Sequence, residues 1–200
     1  MKRSAGFAGA ALVAATALGL AVLAGAGPDE GLINVGLTSA GARVEAESQF
    51  SPAHAGSNAA DGRMESGNGC WYSRDQSKLP VALTFRFAQA EEVRRIVVWQ
   101  ARWTGNMYHT RDFALETSQD GKAWSRVTAG SLADDNEARA ELPVSFKAPW
   151  ARIVVLSSYN DFQTCGLAEV EFMARRPLAF GTPAARLDSV TPPGRSPSAA

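Results

Sequence analysis

The stretch LPVALTFRFAQAEEVRRIVVWQ, residues 79–100, carries the clearest structural pattern in the sequence. From residue 81 to residue 87, apolar side chains occupy every second position, which is the period of a strand with one buried face. Residues 93–100 carry enough apolar side chains on both faces to favour a strand at the centre of a sheet. The stretch therefore predicts two strands.

Shorter segments with strand character lie on both sides of this stretch. FALET at 113–117 is followed by the turn SQDG at 118–121 and by residues 124–127, which predicts a hairpin with a tight glycine turn. No segment of ten or more residues beyond the N-terminal region keeps a helical period. Seven or eight short strands joined by Gly, Asp and Asn turns indicate a two-sheet sandwich. The remaining strands are expected at 43–49, 138–142, 151–157 and 167–173.

The N-terminal region differs in composition from the rest of the chain. Lys2 and Arg3 precede a long uncharged segment that ends in the small residues AGA at 24–26. We expect residues 1–26 to be a cleaved signal peptide, which predicts bacterial export and a secreted, extracellular protein. The alternative is an uncleaved membrane anchor, since the apolar run is long enough to span a bilayer.

The folded domain is expected to occupy residues 42–174. Residues 27–41 are rich in glycine without a clear period, so they are predicted to be a linker. Residues 175–200 are rich in Pro, Ser, Ala and Gly, and such a composition cannot bury enough apolar surface to offset the entropy of ordering. A disordered tail is therefore predicted there.

Composition excludes several classes of function. The 200 residues contain 20 Lys and Arg against 20 Asp and Glu, so there is no basic excess to neutralise phosphates, and nucleic acid is not an expected partner. Two histidines and two cysteines leave few ways to build a zinc site or a histidine-dependent catalytic centre. We expect a protein that is not an enzyme.

Five strings, taken in order, point to a family. They read SPAHAGSNAADGRMESGNGCWYS at 51–73, the 79–100 stretch, RDFALETSQDGKAWSRV at 111–127, ARIVVLSS at 151–158 and GLAEVEF at 166–172. Over residues 43–173 the chain resembles the discoidin, or coagulation-factor type C, domain family and its bacterial relatives in carbohydrate-binding module family 32. The resemblance implies an all-β, eight-stranded jelly-roll β-sandwich of the galactose-binding-domain-like type. It also implies a binding role, with the ligand site in loops at one end.

The resemblance implies a structural Ca²⁺ site between the loop NAADG at 58–62 and the start of the last strand. Asp61 and Glu169 would be its side-chain ligands, and hard oxygen ligands of this kind suit calcium. The loop is longer than the family pattern, so a hydroxyl or amide ligand could be Ser66 or Asn68. The alternative is that Asp61 caps a turn and Glu169 is a solvated strand residue. The remaining ligands would be the carbonyl oxygens of Asn58, Arg63 and Ala168.

The resemblance also carries a sugar-binding site to this chain. Arg102 and Asn106 would donate hydrogen bonds to sugar hydroxyls, and Phe162 would stack on the ring. Trp103 and Tyr72 add aromatic rings to the same loops. The alternative is that Arg102 pairs with an acid such as Asp161 and that Trp103 fills the end of the core together with Trp71, for which the core is the expected place.

The expected partner is a glycan or cell-surface glycoconjugate, with a galactose-like or amino sugar implied by the resemblance alone. The alternative function is a protein-interaction or cell-surface adhesion domain of the discoidin type. Membrane binding beyond the signal segment is disfavoured, because the predicted loops are aromatic and nearly neutral rather than apolar with a basic surround.

The two cysteines, Cys70 and Cys165, are expected to form one disulfide. Export would place them in an oxidising compartment, and two cysteines allow a single pairing. Both should lie at the same end of the sandwich if the calcium loop and the last strand share an ion. Two unpaired thiols are the alternative.

Overall fold

The sheet is organised on one long strand that begins at Val81. The computed structural model of the chain describes residues 31–75 and 77–175. Its strands are β1 Leu32–Asn34, β2 Arg43–Ala46, β3 Trp71–Tyr72, β4 Val81–Gln100, β5 Asp112–Ser118, β6 Ser125–Ser131, β7 Arg139–Val155 and β8 Gly166–Arg175. Short 3-10 helices lie at Thr38–Ala40, Pro52–His54, Gly56–Ala60 and Gly67–Gly69. The predicted signal peptide at 1–26 and the tail beyond residue 175 fall outside the described residues.

The strands pair antiparallel in the order β1-β8-β4-β7-β5-β6, with β2 on β4 and β3 on β8. The first part of β4 pairs with β2 and the end of β7, and its second part pairs with β8 and the start of β7. Because β4 and β7 pass together from one layer to the other, the sheet folds into the expected all-β sandwich. In the described part of the chain, no helix has the length and hydropathy needed to cross a lipid bilayer.

The expected pairs of short strands are continuous in the structure. Residues 81–87 and 93–100 both belong to β4, and 138–142 and 151–157 fall largely within β7. The pairing of β4 with β7 shifts register between Arg86 and Glu91, where residues 88–90 are exposed and Pro149 lacks an N–H to donate. A bulge at this point bends both strands without ending them.

The core lies between the two layers, and the burial of β4 side chains confirms the strand pattern seen in the sequence. Val81, Leu83 and Phe85 are buried, and the exposed side chain of Arg86 lies on the outer face. The ring of Phe85 meets that of Phe172 edge to face, with centroids 4.9 Å apart. This aromatic contact joins β4 and β8 across the interior.

The prediction of a linker at 27–41 is wrong for its described part. Strand β1 pairs with the end of β8, with Leu32 opposite Arg175 and Asn34 opposite Met173. The side-chain oxygen of Asn34 accepts hydrogen bonds from the backbone N–H groups of Phe172 (3.0 Å) and Gly36 (2.9 Å). The domain therefore includes residues 31–41, and its last described strand, β8, ends at Arg175.

The predicted disulfide is absent, and both cysteines are buried free thiols. The register of β3 with β8 places Trp71 opposite Leu167, and the N–H of Ser73 donates to the carbonyl of Cys165 (2.8 Å). Cys165 therefore faces Ser73, three residues from Cys70. At about 3.3 Å per extended residue, this offset of about 10 Å exceeds the reach of a disulfide.

The two thiols also lie on opposite faces of the β3–β8 pair. Cys70 packs in a small cluster with Tyr72 and Ala168, whereas Cys165 belongs to the main core with Trp71. Two cysteines at the same end of the sandwich therefore need not form a disulfide, because alternate residues of a strand point in opposite directions.

We expect neither cysteine to react with iodoacetamide in the native protein. Both side chains are fully buried, and burial raises the pKa of both thiols, that of Cys165 to about 12, so little thiolate is available. Intact-mass spectrometry should show no label in buffer and two labels in denaturant without reductant. Failure to label in denaturant until a reductant is added would instead indicate a disulfide.

Candidate functional site

Two loops at one end of the sandwich meet at the side chain of Gln100, the last residue of β4. Its amide nitrogen donates to the carbonyls of Thr110 (2.8 Å) and Ala133 (3.0 Å). Its amide oxygen accepts from the N–H groups of Ala101 (3.1 Å) and Thr110 (2.9 Å). Because this buried amide is fully satisfied, it fixes residues 101–111 against the loop that follows β6.

Asn160 attaches the loop before β8 to the same assembly. Its side-chain nitrogen donates to the carbonyls of Met107 (2.6 Å) and Thr164 (2.9 Å), and its oxygen accepts from the N–H of Thr164 (3.1 Å). Asn160 therefore supports both its own loop and the one that carries Arg102.

A cleft of about 600 Å³ opens between residues 64–67, residues 102–104 and the loop that follows β6, with Arg102 in its wall. One guanidinium nitrogen of Arg102 donates to the carbonyl of Met64 (2.6 Å), and the other pairs with the carboxylate of Glu137 (2.7 Å). These contacts use two of the five N–H donors that a guanidinium carries. The acid that pairs with Arg102 is Glu137 rather than Asp161. The cleft is lined by Met64, Ser66, Gly67, Arg102, Trp103, Thr104, Asn136 and Glu137.

A buried histidine organises the loop between β6 and β7. Nδ1 of His109 lies 2.7 Å from Oδ1 of Asp134, and its Nε2 lies 3.1 Å from Oδ1 of Asn136. Asn106 donates to Asp134 (3.0 Å), and the N–H of Trp103 donates to Asn136 (3.0 Å). The hydrogen bonds from Asn106 and His109 lower the pKa of Asp134, which therefore stays ionised.

The aromatic residues form a layered cluster with one ring at the surface. Trp103 is 36% exposed and packs edge to face on Tyr72 and Tyr108, with centroid distances of 5.5 and 5.7 Å. Tyr72 is 1% exposed, stacks on Tyr108 at 4.3 Å and donates its hydroxyl to the carbonyl of Arg102 (2.8 Å). The expectation that Tyr72 contacts the ligand is therefore not met, and its ring supports Trp103 from beneath.

The structure does not gather all the expected sugar-binding residues in one cleft. Arg102 and Trp103 line the same cleft, and Asn106 lies in an adjoining depression of about 490 Å³ that shares Asn136 with it. Phe162 is 63% exposed and lines a different depression of about 310 Å³, together with Lys78. It is not among the residues that line the Arg102 cleft.

The candidate calcium ligands lie at the start of β8 and in the loop after the Gly56–Ala60 helix. Glu169 is 2% exposed, and its Oε2 accepts from the N–H of Gly62 (3.2 Å), while Oε1 has no hydrogen-bond partner in the described residues. Burial raises the pKa of Glu169 to about 8, and the charge of Asp61 adds to this. The alternative of a solvated Glu169 is therefore wrong.

The other candidate ligands have partly structural roles. Asp61 accepts from the N–H of Arg63 (2.8 Å), which is the expected turn cap. The amide nitrogen of Asn58 donates to the carbonyls of Ala53 (2.8 Å) and Asn68 (2.8 Å) and so closes the loop. Ser66 lines the Arg102 cleft, and Ala168 precedes Glu169 in the interior.

Over residues 31–75 and 77–175, no three His, Cys, Asp or Glu side chains come together as a metal cluster. A cation at this place would therefore be held by the carboxylates of Asp61 and Glu169 together with carbonyl oxygens, which is a ligand set suited to Ca²⁺.

The family model of the F5/8 type C domain matches residues 43–170 of this chain. The chain belongs to the F5/8 type C domain family. Among solved structures, CpGH89CBM32-5 from Clostridium perfringens, in complex with GalNAc-beta-1,3-galactose, is 18% identical, with a TM-score of 0.60 over 71% of this chain and 100% of that one. CBM32-3 from a family 31 glycoside hydrolase of the same organism is 22% identical, with a TM-score of 0.61 over 72% and 96%.

A third similar structure is the family 32 module of Clostridium perfringens NanJ in complex with galactose. It is 16% identical, with a TM-score of 0.57 over 70% of this chain and 99% of that one. At these identities the likeness establishes the fold. A search of curated proteins found no match.

In this F5/8 type C domain, the sequence did not single out the loop DDNE at 134–137, which supplies one wall of the cleft. Its signal was present, because a run of acidic and amide residues stands between two predicted strands. The role of Gln100 in joining two loops was not predicted either. A polar residue at the end of an apolar strand does not indicate which loops its side chain will contact.

Proposed function

We propose that this domain is a secreted, non-catalytic glycan-binding module whose binding site is the Arg102 cleft. The observation that carries the proposal is the combination of a positioned guanidinium with spare N–H donors and an exposed indole in one cleft. Two similar structures are complexes with galactose or a galactose-containing disaccharide, which supports a sugar as the ligand class. A galactose-like sugar is the first candidate.

The arrangement suits neighbouring sugar hydroxyls. A hydroxyl both donates and accepts, and here the guanidinium of Arg102 supplies donors directly beside the acceptor oxygens of Glu137. Two adjacent hydroxyls can bridge this pair, each accepting from the arginine or donating to the carboxylate. Trp103 lines the same cleft and can cover the apolar C–H face of the ring.

Protein binding is the second candidate, and one observation favours it. Phe50, Met64, Trp103 and Met107 are all at least 36% exposed, and all four belong to the loop end of the sandwich or to segments packed against it. Exposed aromatic and methionine side chains around a polar cleft are typical of surfaces that contact proteins.

We also propose that this domain holds one structural Ca²⁺. The support is Glu169, because a buried carboxylate oxygen without a hydrogen-bond partner is costly unless a cation or a proton neutralises it. Asp61, whose charge acts on Glu169, would share the ion and so tie the 61–70 loop to β8. When bound, the ion would supply positive charge and cross-linking, with no part in ligand chemistry.

The test of the glycan proposal is a glycan array on the full chain, followed by titration of the strongest ligand. Arg102→Ala should weaken binding at least about thirtyfold, as loss of a central arginine does at other interfaces. Its stability should fall by no more than about 1–2 kcal/mol, because Glu137 is exposed and water can replace the lost hydrogen bond to the exposed carbonyl of Met64.

Arg139→Ala is the matched control, since Arg139 stacks on Trp99 and does not line the cleft. This variant should bind as the wild type does. If the array shows no sugar ligand, or if Arg102→Ala binds its best ligand normally, the cleft is not a glycan site and protein binding becomes the leading candidate.

A further inference from the structure

Two arginines face each other on the outer surface of the sandwich. Arg43 of β2 and Arg86 of β4 are direct cross-strand partners, which places their Cβ atoms about 4.5–5.5 Å apart. Like charges in this position destabilise a strand pair. Within the described part of the chain, neither guanidinium has a carboxylate partner or a hydrogen bond. The pair therefore concentrates positive charge that no ion pair neutralises.

Two other arginines on this outer face do have a carboxylate partner. Arg126 and Arg152 lie on the same outer face and share the carboxylate of Glu116. The arginines of the described residues that have a carboxylate partner include Arg94, Arg95, Arg102, Arg111, Arg126 and Arg152. Glu45 lies on the same outer face, two residues after Arg43 and opposite Thr84, but it forms no ion pair with either arginine, so their donors remain available to an external anion.

The two arginines line a cleft of about 220 Å³ together with Phe87 and Ala88. Gly41 forms the remaining wall with a left-handed backbone, and a Cβ at this position would lie 3.2 Å from the Cβ of Ala88. A side chain at residue 41 would therefore narrow the cleft. Its volume accommodates one oxyanion and part of the group that carries it.

Arg86 is held in place before any ligand arrives. Its guanidinium lies 5.2 Å from the centroid of the Trp150 ring, which is a cation–π contact. The turn at Gly121 backs the same ring, since a Cβ there would be 3.1 Å from it. A positioned arginine loses less conformational freedom on binding, so the contact favours recognition by geometry as well as by charge.

We infer that Arg43 and Arg86 form a second binding site, for an oxyanion such as a sulfate, phosphate or carboxylate group. Two guanidinium groups can each donate paired hydrogen bonds to such a group, and the anion removes the repulsion between them. The site lies at the bend of β4, away from the Arg102 cleft, so it does not depend on the glycan proposal. The anion is either a free ion or a group on an acidic polymer.

The test follows the side-chain Nε–H signals of the arginines by NMR while sodium sulfate replaces sodium chloride at constant ionic strength. The signals of Arg43 and Arg86 should shift and saturate in the millimolar range. Arg43→Gln and Arg86→Gln should each weaken this binding at least about tenfold. Arg139→Gln is the control, because Arg139 is also exposed and stacked on a tryptophan but does not line this cleft.

A second titration with a sulfated disaccharide distinguishes the two sources. Binding tighter than that of inorganic sulfate identifies a polymer-borne group, and equal or weaker binding identifies the free ion. A shift that never saturates, or that remains unchanged in Arg43→Gln and Arg86→Gln, overturns the site.

Thermal unfolding gives an independent readout. In low-salt chloride, Arg43→Gln should melt at the same or a higher temperature than the wild type, because it removes repulsion. In sulfate the order should reverse, since only the wild type gains the bound anion. Sulfate stabilises proteins in general, so the comparison is the difference between the two proteins in each salt. An order that stays the same in both salts contradicts the proposal.

Discussion

Trp71→Ala will lower the free energy of unfolding by about 3–5 kcal/mol, the range for deletion of a large buried aromatic side chain. The indole of Trp71 is fully buried in the main core, and its N–H donates to the carbonyl of Ser48 (2.9 Å). The substitution removes the ring, leaves a cavity and deprives a carbonyl of its donor, and each of these effects is destabilising.

Trp103→Ala is the matched comparison, because this tryptophan lies in the same end of the sandwich but at its surface. Its loss should cost no more than about 1–2 kcal/mol, chiefly the edge contacts with Tyr72 and Tyr108. Glycan binding should be lost instead. Urea unfolding followed by far-ultraviolet circular dichroism, together with ligand titration, separates the two effects. Equal stability losses would show that Trp103 belongs to the core.

In a chelating buffer the protein will become less stable as the pH rises from about 5 to about 8, by about 3–5 kcal/mol. The pKa of Glu169 is raised from its ordinary value of 4.5 to about 8, chiefly by burial. A carboxyl with a raised pKa favours the folded state while it is protonated. Its contribution is therefore complete below pH 4.5 and is lost as the pH approaches 8.

Calcium should abolish this dependence, because the ion replaces the proton as the neutralising charge on Glu169. Glu169→Gln is the control: the neutral amide should make the chelated protein more stable than the wild type at pH 8 and should remove the effect of calcium. Melting curves at both pH values, with chelator and with calcium, provide the measurement. A calcium effect of equal size in Glu169→Gln would place the ion elsewhere.

The sandwich could be predicted from the sequence because the order of apolar and polar residues in its central strands indicates which side chains are buried. The alternation from Val81 to Phe87 predicts one buried face, and the four apolar side chains of that face are buried in the structure. Strand β1 could not be found in this way. It is three residues long, lies at an edge and is held largely by the side chain of Asn34, so its stability comes from pairing with β8 and not from its own pattern.

The candidate site was only partly predictable, since it depends on how loops pack. Arg102 and Trp103 are adjacent in the chain and share a cleft, but Phe162 lies in a different depression. Glu137 and Asn136 reach the cleft through the hydrogen bonds of His109 and Gln100, which no local spacing encodes. The disulfide prediction was wrong for a related reason. Cys165 faces Ser73 and not Cys70, and this offset of three residues decides whether the two thiols can meet.

The adjacency of β1 and β8 determines how this domain responds to mechanical pulling. Leu32 lies opposite Arg175, so tension that pulls the start of β1 away from the end of β8 acts on neighbouring antiparallel strands. It opens their hydrogen bonds one at a time, beginning with the three-residue β1. Tension between a ligand held at the loop end and the end of β8 instead acts along the ten residues of that strand, which pairs with β4 along much of its length. These bonds are sheared together. The domain should therefore resist a force applied through its ligand far better than one that separates its two ends.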